Sequence, residues 1–403
     1  MDNKKKLIEK IEDAWDVLKG TKIAEEVSPV ADDTIASPQV MPETDKAVAS
    51  EEQEPMEQDA KEDAPATLPE DKKQETEPDT TSAPSSVEET DKDTQTQDFN
   101  NPEVRVKTSI DIDDNSFIVG MSIQGRSHIG AGTACQDFHS FTTLAPGWYL
   151  AITSDGAGSA RESARGSKAN CESASKLVTH LVKERKWIET NYLPSDKEWY
   201  IEIRNIFEMI QELIIRKVAT TEPMDAQASG EPLKPRDFNA TIILLLMTPK
   251  GMLTAHIGDG RMGYLSAADE WIPLMTPHKG DEASETVFIP NNWNRQMQVP
   301  IFTMSNAFLP DTKVIEERPK AFVLMSDGCE NFTWQCTAYN KEEQKYYDPN
   351  LPFGGFLNPL IDEMNAIKEC DKRVERLIDI INTGTSEARK EQDDRTLLLG
   401  VFN

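Results

Sequence analysis

Three apolar segments of the chain end in the same short pattern, an aspartate followed by a glycine. These pairs are Asp155-Gly156, Asp259-Gly260 and Asp327-Gly328, and a further acidic pair, Asp393-Asp394, directly precedes the last apolar segment. An aspartate placed where a buried strand stops lies at the rim of its sheet, where it can face a ligand. Because glycine lets the backbone turn sharply, main-chain oxygens can approach the same ligand.

Carboxylates gathered at strand ends, without neighbouring cysteines or histidines, suit hard divalent cations such as Mg²⁺ and Mn²⁺. Two such cations can share one carboxylate and one water, and they lower the pKa of that water enough for it to attack phosphorus at neutral pH. The competing interpretation is that each Asp-Gly pair is an ordinary β-turn, in which this pair is common. Three pairs after apolar segments, with Asp-Asp before another, favour a shared site.

The apolar pattern predicts the elements that would position these acids. Strands are expected near 104–110, 117–123, 148–152, 240–246, 251–257, 321–325 and 397–402, and helices near 159–188, 196–219 and 357–382. Glycine-rich residues 125–132 are predicted to form a loop, and residues 261–273 a hairpin partner of the strand before them. Residues 331–356 are predicted to be irregular, and the segments 190–236 and 331–365 look like inserts.

Composition divides the chain into three parts. Residues 1–20 predict an amphipathic helix, whose apolar face would either dock a partner or pack on its own domain. Residues 21–102 predict a disordered acidic linker, because they offer too little apolar surface to offset the entropy of ordering. Residues 103–403 predict the folded domain. Residues 1–100 carry a net charge of −17 out of −28 for the whole chain.

Charge and cysteine usage exclude several classes of protein. Neither the front segment nor the body has the basic stripe that nucleic-acid binding requires, so no nucleic-acid partner is expected. The five cysteines form no C-x-x-C pair, which disfavours a disulfide framework and favours a reducing cytoplasm. The longest apolar run, 242–247, is too short to span a bilayer.

Five motifs in register resemble the metal-dependent protein Ser/Thr phosphatases of the 2C (PPM) type, in particular their divergent bacterial branch. These motifs are Gly125-x-Ser127-His128 with Gln136-Asp137, Ser154-Asp155-Gly156-Ala157-Gly158-Ser159, Ile257-Gly258-Asp259-Gly260-Arg261, Ser326-Asp327-Gly328 and Asp393-Asp394-Arg395-Thr396. The resemblance implies an α+β fold, a four-layer α-β-β-α sandwich of two antiparallel sheets with outer helices. It implies hydrolysis of phosphoserine or phosphothreonine in phosphoproteins, in bacterial signalling opposite a Ser/Thr kinase.

The resemblance also implies roles for individual residues. Asp155 would bridge two Mn²⁺ or Mg²⁺ ions, the Gly156 carbonyl would bind the second, and Asp327 and Asp393 would bind the first. Asp259 would hold a third, weaker ion together with Asp327, and Asp137 would lie in or next to the metal site. His128 or His139 would protonate the leaving alkoxide, although a structural role is the more common one for a histidine.

Two positions depart from the family pattern. Gln136 stands where a glutamate is usual, so it offers a carbonyl oxygen without charge to the second ion. The usual phosphate-binding arginine is absent, and Arg126, Arg161 or Arg165 is the candidate replacement. These departures motivate the alternative of a catalytically weak pseudophosphatase that acts as a phosphoprotein-binding or scaffold module. Cys135 is a weaker candidate for a nucleophile, because no base beside it is predicted.

Overall fold

The computed structural model describes residues 101–220, 232–279, 286–289 and 310–402. The predicted N-terminal helix (1–20) and nearly all of the predicted linker (21–102) lie outside these ranges. No helix in these ranges is long and apolar enough to cross a membrane.

Two antiparallel sheets form the centre of the molecule. The first sheet has the strand order β1-β2-β15-β10-β7-β8, and the second has the order β3-β4-β5-β6-β9. The strands of the first sheet are β1 (Val104–Asp111), β2 (Phe117–Ile123), β7 (Arg261–Leu265), β8 (Trp271–Pro273), β10 (Ala321–Met325) and β15 (Arg395–Val401). Those of the second are β3 (Phe138–Ala145), β4 (Trp148–Ser154), β5 (Ile242–Thr248), β6 (Gly251–Ile257) and β9 (Asp311–Ile315).

Helices cover the outer face of each sheet. The second sheet packs against α2 (Ser163–Glu184) and α4 (Asp196–Thr220), with the short α3 (Trp187–Thr190) between them. The first sheet packs against α7 (Cys370–Asp379), which follows α6 (Gly354–Ala366). The predicted α+β sandwich of two antiparallel sheets with outer helices is confirmed.

The central strands direct alternate side chains into two different apolar cores, one on each face of the sheet. Ile243, Leu245 and Met247 of β5 belong to the apolar core between the sheets, together with Phe322 and Leu324 of β10. Val323 and Met325 of β10 point the other way, into a second core beneath α6 and α7. Because successive strand residues face opposite sides, strands buried on both faces are apolar throughout rather than alternating.

Two predicted elements were wrong. Residues 125–132 were predicted to form a loop, but Arg126–Ala131 form helix α1, which ends at Gly132 in the left-handed conformation (φ +67°). Residues 261–265 were predicted to pair with β6, but β7 pairs with β10 of the other sheet. The chain crosses between sheets at Gly258, where φ is +122° and a Cβ would lie 2.4 Å from the Cβ of Thr241, so only glycine fits.

The segment 331–356 is more regular than predicted. It contains α5 (Glu330–Thr333) and two short antiparallel pairs. One pair joins β11 (Trp334–Gln335) to β14 (Leu351–Pro352), and the other joins β12 (Ala338–Asn340) to β13 (Lys345–Tyr347). The predicted helix at 357–382 is divided into α6, α7 and a π-helical turn at Ile380–Gly384.

Candidate active site

Strand register brings two of the predicted acids together at one end of the second sheet. The first residue of β3, Phe138, is paired with the last residue of β4, Ser154. Asp137 directly precedes Phe138 and Asp155 directly follows Ser154, so the two aspartates lie next to each other at the same end of the sheet. The sequence could not show this, because register between β3 and β4 is a tertiary property.

The same logic gathers the remaining acids at the end of the first sheet. Met325, the last residue of β10, is paired with Arg261 on one side and with Leu397 on the other. Asp327 therefore follows β10 at the point where Asp259 precedes β7 and Asp393 precedes β15. Three acids from distant parts of the chain meet because antiparallel neighbours begin where the central strand ends.

The backbone around Asp155 is fixed by Thr241. The amide of Asp155 donates to Thr241 Oγ1 at 3.0 Å, and the Asp155 carbonyl accepts from the Thr241 amide at 2.8 Å. Gly156 lies opposite Ala240 in an isolated antiparallel pairing. The hydrogen bonds of this pairing are made by the residues on either side of Gly156, not by its own N–H and C=O. Its carbonyl therefore points away from residues 239–241. A Cβ at Gly156 would lie 2.8 Å from the Gln136 carbonyl oxygen, so the position requires glycine.

Burial, and to a smaller extent the charges of neighbouring acids, raises the pKa values of the carboxyl groups in this cluster. Burial, reinforced by neighbouring acids, raises the pKa of Asp137 to about 7 and that of Asp327 to about 8. Burial followed by the charge of Asp137 raises the pKa of Asp155 well above its usual value. Burial raises the pKa of Asp259 to about 6, and burial with the Asp394 charge raises that of Asp393. Such mutual elevation means that the cluster favours added positive charge.

Several buried oxygens of this cluster lack partners. Asp137 Oδ1, Asp327 Oδ1 and Gln136 Oε1 have no hydrogen-bond partner among the described residues. A buried acceptor without a donor is costly, and a cation removes that cost for several oxygens at once. The donor set consists of oxygens alone, which fits Mg²⁺ or Mn²⁺ better than softer metals.

Ser326 joins the two sheets within the site. Its hydroxyl donates to Asp137 Oδ2 at 2.6 Å and accepts from the Thr396 amide at 2.9 Å. Asp137 itself is fully buried, and its carbonyl oxygen accepts from Arg105 Nη1 at 2.8 Å. One hydroxyl therefore connects an acid at the end of the second sheet to β15 of the first.

Asp394 accepts hydrogen bonds from three residues of the segment 125–136. Its Oδ1 accepts from the Gly125 amide at 2.6 Å and from His128 Nδ1 at 2.8 Å, while its Oδ2 accepts from the Gln136 amide. The hydrogen bond that His128 donates to Asp394 raises the pKa of His128. Asp393 keeps part of its side chain exposed, although its carboxyl is crowded by surrounding groups, and its Oδ1 accepts from the Asp394 amide at 2.8 Å.

The family model described as protein phosphatase 2C matches residues 124–378. This range is more than half of the chain, and it begins one residue before Gly125, whose amide donates to Asp394. The chain belongs to the protein phosphatase 2C family. No curated protein matches the sequence.

Solved structures of bacterial phosphatases show a distant likeness. A bacterial serine phosphatase is 13% identical with a TM-score of 0.41, and the comparison covers 71% of this chain and 98% of that one. The serine/threonine phosphatase of S. agalactiae is 18% identical with a TM-score of 0.36, covering 71% and 99%. The catalytic domain of the serine threonine protein phosphatase PstP, in complex with two manganese ions, is 14% identical with a TM-score of 0.36, covering 70% and 96%. The assignment depends on the family match.

The arginines considered for phosphate binding in this phosphatase-family chain lie in three settings. Arg126 begins α1, and its guanidinium lies 3.5 Å from the Asn382 carbonyl oxygen. Arg161 forms an ion pair of 3.0 Å with Asp237, and Arg165 pairs with Glu162 at 3.1 Å. Arg126 lies next to Gly125, whose amide donates to Asp394. Phosphate binding by these arginines stays a prediction.

The other predicted proton donor and the predicted nucleophile have structural surroundings. His139 is buried, its Nδ1 contacts Ser122 Oγ at 2.8 Å and its Nε2 contacts Thr108 Oγ1 at 3.1 Å. Burial lowers the pKa of His139 to about 3, so the ring is neutral at neutral pH and cannot act as an imidazolium acid. Burial raises the pKa of the Cys135 thiol, which keeps it protonated and unreactive.

Sequence reasoning missed three residues that support the site. Ser326 and Asp394 stand inside quoted motifs, so their position was visible although their contacts were not. Arg261 is fully buried and pairs with Glu330 at 2.7 Å and Asp348 at 2.7 Å. In the sequence, Arg261 directly follows an Asp-Gly turn and begins an apolar segment, which is itself a signal, because a guanidinium at a buried position requires carboxylate partners. Arg261 thereby ties the insert around 348 to the turn that carries Asp259.

Proposed function

We propose that this chain is a metal-dependent phosphoprotein phosphatase that hydrolyses phosphoserine and phosphothreonine. The observation that carries the proposal is the convergence of five aspartates from both sheets on one point, with buried oxygens that lack partners. These aspartates are Asp137, Asp155, Asp259, Asp327 and Asp393. Family membership supports the reaction class.

The donor set supports two divalent ions, Mn²⁺ or Mg²⁺, with a third weaker site. Asp155 would be shared, Asp327 and Asp393 would hold the first ion, and the Gly156 carbonyl would hold the second with Asp137 or Gln136. Asp259 and Asp327 would hold the third. When bound, such ions polarise the phosphoryl oxygens and lower the pKa of a coordinated water.

Residues of the chain supply the remaining functions. Thr241 fixes the backbone of Asp155, and Ser326 keeps the Asp137 carboxylate available by lowering its pKa. His128 donates Nδ1–H to Asp394, so the protonated ring holds its second proton at Nε2. We assign that proton to the leaving serine or threonine alkoxide. Arg126, and on the other side Arg161, would position the phosphate.

We also propose a cellular setting for this chemistry. A phosphoprotein substrate requires a Ser/Thr kinase that makes it, and we place the pair in bacterial cytoplasmic signalling. The N-terminal helix (1–20), on its acidic linker, would dock a partner and raise its concentration near the active site. The pseudophosphatase alternative has less support, because the predicted metal acids come from strand ends that meet and the side-chain Oε1 of Gln136 is buried without a hydrogen-bond partner among the described residues.

The test is Mn²⁺-dependent hydrolysis of a phosphoserine peptide and of an aryl phosphate by the full chain. Asp155→Asn should lower turnover of both substrates by at least about 10²-fold, because the shared carboxylate is lost. Asp269→Asn is the matched control, since Asp269 lies at an exposed turn with φ +63° that asparagine also adopts. Absence of turnover in the unmodified protein, or equal turnover in Asp155→Asn, contradicts the proposal. Tight Mn²⁺ binding without turnover would establish the scaffold alternative instead.

A further inference from the structure

A second group of metal-ligating side chains lies outside the aspartate cluster. His256 in β6 is paired in register with Asp311, the first residue of the neighbouring strand β9. His278 lies on the segment after β8, and its amide donates to the Gly258 carbonyl oxygen at 2.9 Å. The three side chains thus come from two strands and a segment that crosses them.

The ligand atoms of this group already lie close together. His278 Nε2 is 3.5 Å from Asp311 Oδ2, His256 Nε2 is 4.0 Å from the same oxygen, and the three ligand atoms lie within 4.8 Å of one another. Ligands at 2.0–2.2 Å in a tetrahedral zinc site are separated by ~3.3 Å. His278 and Asp311 are already close to that spacing, whereas His256 Nε2 must approach both, so the His256 ring, stacked on that of His278 with centroids 4.5 Å apart, must turn toward the ion.

Burial of the two histidine rings distinguishes this group from a chance surface cluster, although the Asp311 side chain is 54% exposed. His256 is 2% exposed and His278 is 9% exposed. His278 Nε2 is buried and has no hydrogen-bond partner in the described ranges, although it faces the Asp311 carboxylate. A buried ring nitrogen directed at a carboxylate 3.5 Å away, with a second imidazole beside it, forms a set of possible ligands for one metal ion.

We propose that His256, His278 and Asp311 bind one transition-metal ion of the zinc class, at a site separate from the aspartate cluster. Two imidazoles and one carboxylate match zinc and its neighbours, whereas Mg²⁺ and Mn²⁺ prefer oxygen ligands. Burial lowers the pKa of His256 to about 3, so this ring is neutral and ready to coordinate.

Binding requires two local hydrogen bonds to rearrange. His256 Nε2 lies 2.9 Å from the Thr276 carbonyl oxygen, to which it donates, and His278 Nδ1 accepts from the Gly258 amide at 3.3 Å. For both Nε2 atoms to coordinate the ion, each ring proton moves to Nδ1. No proton is lost from either ring, and the Gly258 contact opens. The ion thereby acts on Gly258, the residue directly before Asp259.

The position suggests what the ion would do. His278 and Asp311 flank residues 279–310 in sequence, so one ion would hold both ends of that segment against β6. A metal ion that cross-links the two ends of a segment favours the folded state, because it offsets the conformational entropy that is lost when the ends are brought together. The bound ion would stabilise the chain at Gly258, where it passes from the second sheet to the first, next to the candidate active site.

The experiment measures zinc per chain, so its result does not depend on phosphatase activity. The Asp155→Asn/Asp327→Asn protein, which lacks two acids of the other cluster, is equilibrated with zinc, dialysed and analysed for metal. One zinc per chain is expected. Adding His278→Asn should weaken zinc binding at least about 100-fold. Asparagine keeps an acceptor for the Gly258 amide, while the Nε2 ligand is removed.

Controls keep the outcome interpretable. His180→Asn in the same background should retain the zinc, since His180 is an exposed histidine on α2 paired with Glu184 at 3.5 Å. If His278→Asn does not fold, Asp311→Asn on the edge strand β9 replaces it and should also weaken binding. The proposal is overturned if the double variant binds no zinc, or if loss of the His278 or Asp311 ligand leaves the affinity unchanged.

Discussion

The Ser326 hydroxyl donates to Asp137 Oδ2 at 2.6 Å and so joins an acid of the second sheet to the first sheet. This hydrogen bond lowers the pKa of Asp137, which burial and Asp394 otherwise raise. Without it, more of the Asp137 carboxyl would be protonated at neutral pH, and a protonated carboxyl is a poor ligand for a cation.

Ser326→Ala should therefore weaken Mn²⁺ binding at neutral pH by about tenfold or more, since a hydrogen bond to a charged group is lost. The deficit should shrink as the pH rises through the elevated pKa of Asp137. Calorimetric titration with Mn²⁺ at several pH values measures this. Ser175→Ala is the control, because its hydroxyl bonds Thr142 at 2.9 Å between α2 and the second sheet. A deficit that does not vary with pH would contradict the explanation.

Gln136→Glu should strengthen Mn²⁺ binding by about tenfold or more, because a charge replaces a neutral carbonyl beside the second ion. Without metal, the same change should lower the melting temperature, since it adds a further acid to a cluster that already repels itself. Calorimetry and thermal unfolding measure the two effects. Gln335→Glu makes the same charge change on an exposed residue of β11 and should do neither. Equal affinities for Gln136→Glu and the unmodified protein would remove Gln136 from the site.

His128→Gln should impair the two substrates unequally. A serine alkoxide needs a proton as it leaves, whereas an aryl phosphate releases a stable phenolate, so loss of a general acid affects the peptide far more. We expect peptide turnover to fall about 10²-fold, with a much smaller change for the aryl phosphate. The unmodified protein should lose peptide activity as the pH rises through the elevated pKa of His128, and the variant should lack that decline. Equal losses on both substrates would indicate a structural role.

The metal-free protein should become less stable as the pH rises from about 4 to about 8. The pKa values of about 7 for Asp137 and about 8 for Asp327 in the folded state exceed the ordinary value of 3.8. Between those limits the unfolded chain has released protons that the folded chain still holds, so rising pH favours unfolding, by at least about 2 kcal/mol.

Urea unfolding with a chelator near both ends of this range tests the pH effect. Added Mn²⁺ should restore stability at the upper end, because the cations replace the protons. Asp327→Asn should show a smaller pH dependence, since it removes the carboxyl with the pKa of about 8. A metal-free protein that is equally stable across the range would argue against a crowded acid cluster.

The sequence predicted the strands well, because strands such as 242–247 are apolar throughout, and the resemblance of its five motifs to a known family implied the sandwich. It failed where neighbours in sequence are not neighbours in space. Arg261–Leu265 was assigned to the wrong sheet, since nothing local in Gly258-Asp259-Gly260 shows that the chain crosses. Helix α1 was missed because its glycines and Ser127 are typical of loops.

The sequence predicted the acidic residues of the candidate site more completely than the residues that hold them in place. Each Asp-Gly pair is a local signal, so Asp155, Asp259 and Asp327 were visible. The contacts of Ser326 with Asp137 and of Asp394 with Gly125, His128 and Gln136 depend on register between strands far apart in the chain. Such contacts cannot be derived from spacing along one segment.

The central position of β15 has a consequence for how the molecule is made. This strand lies between β2 and β10 in the first sheet, although it follows both in the sequence. Until residues 395–401 are in place, β2 and β10 each present an unpaired edge, and such edges can capture strands from other chains. Truncation before residue 395 should therefore produce aggregation rather than a smaller folded protein.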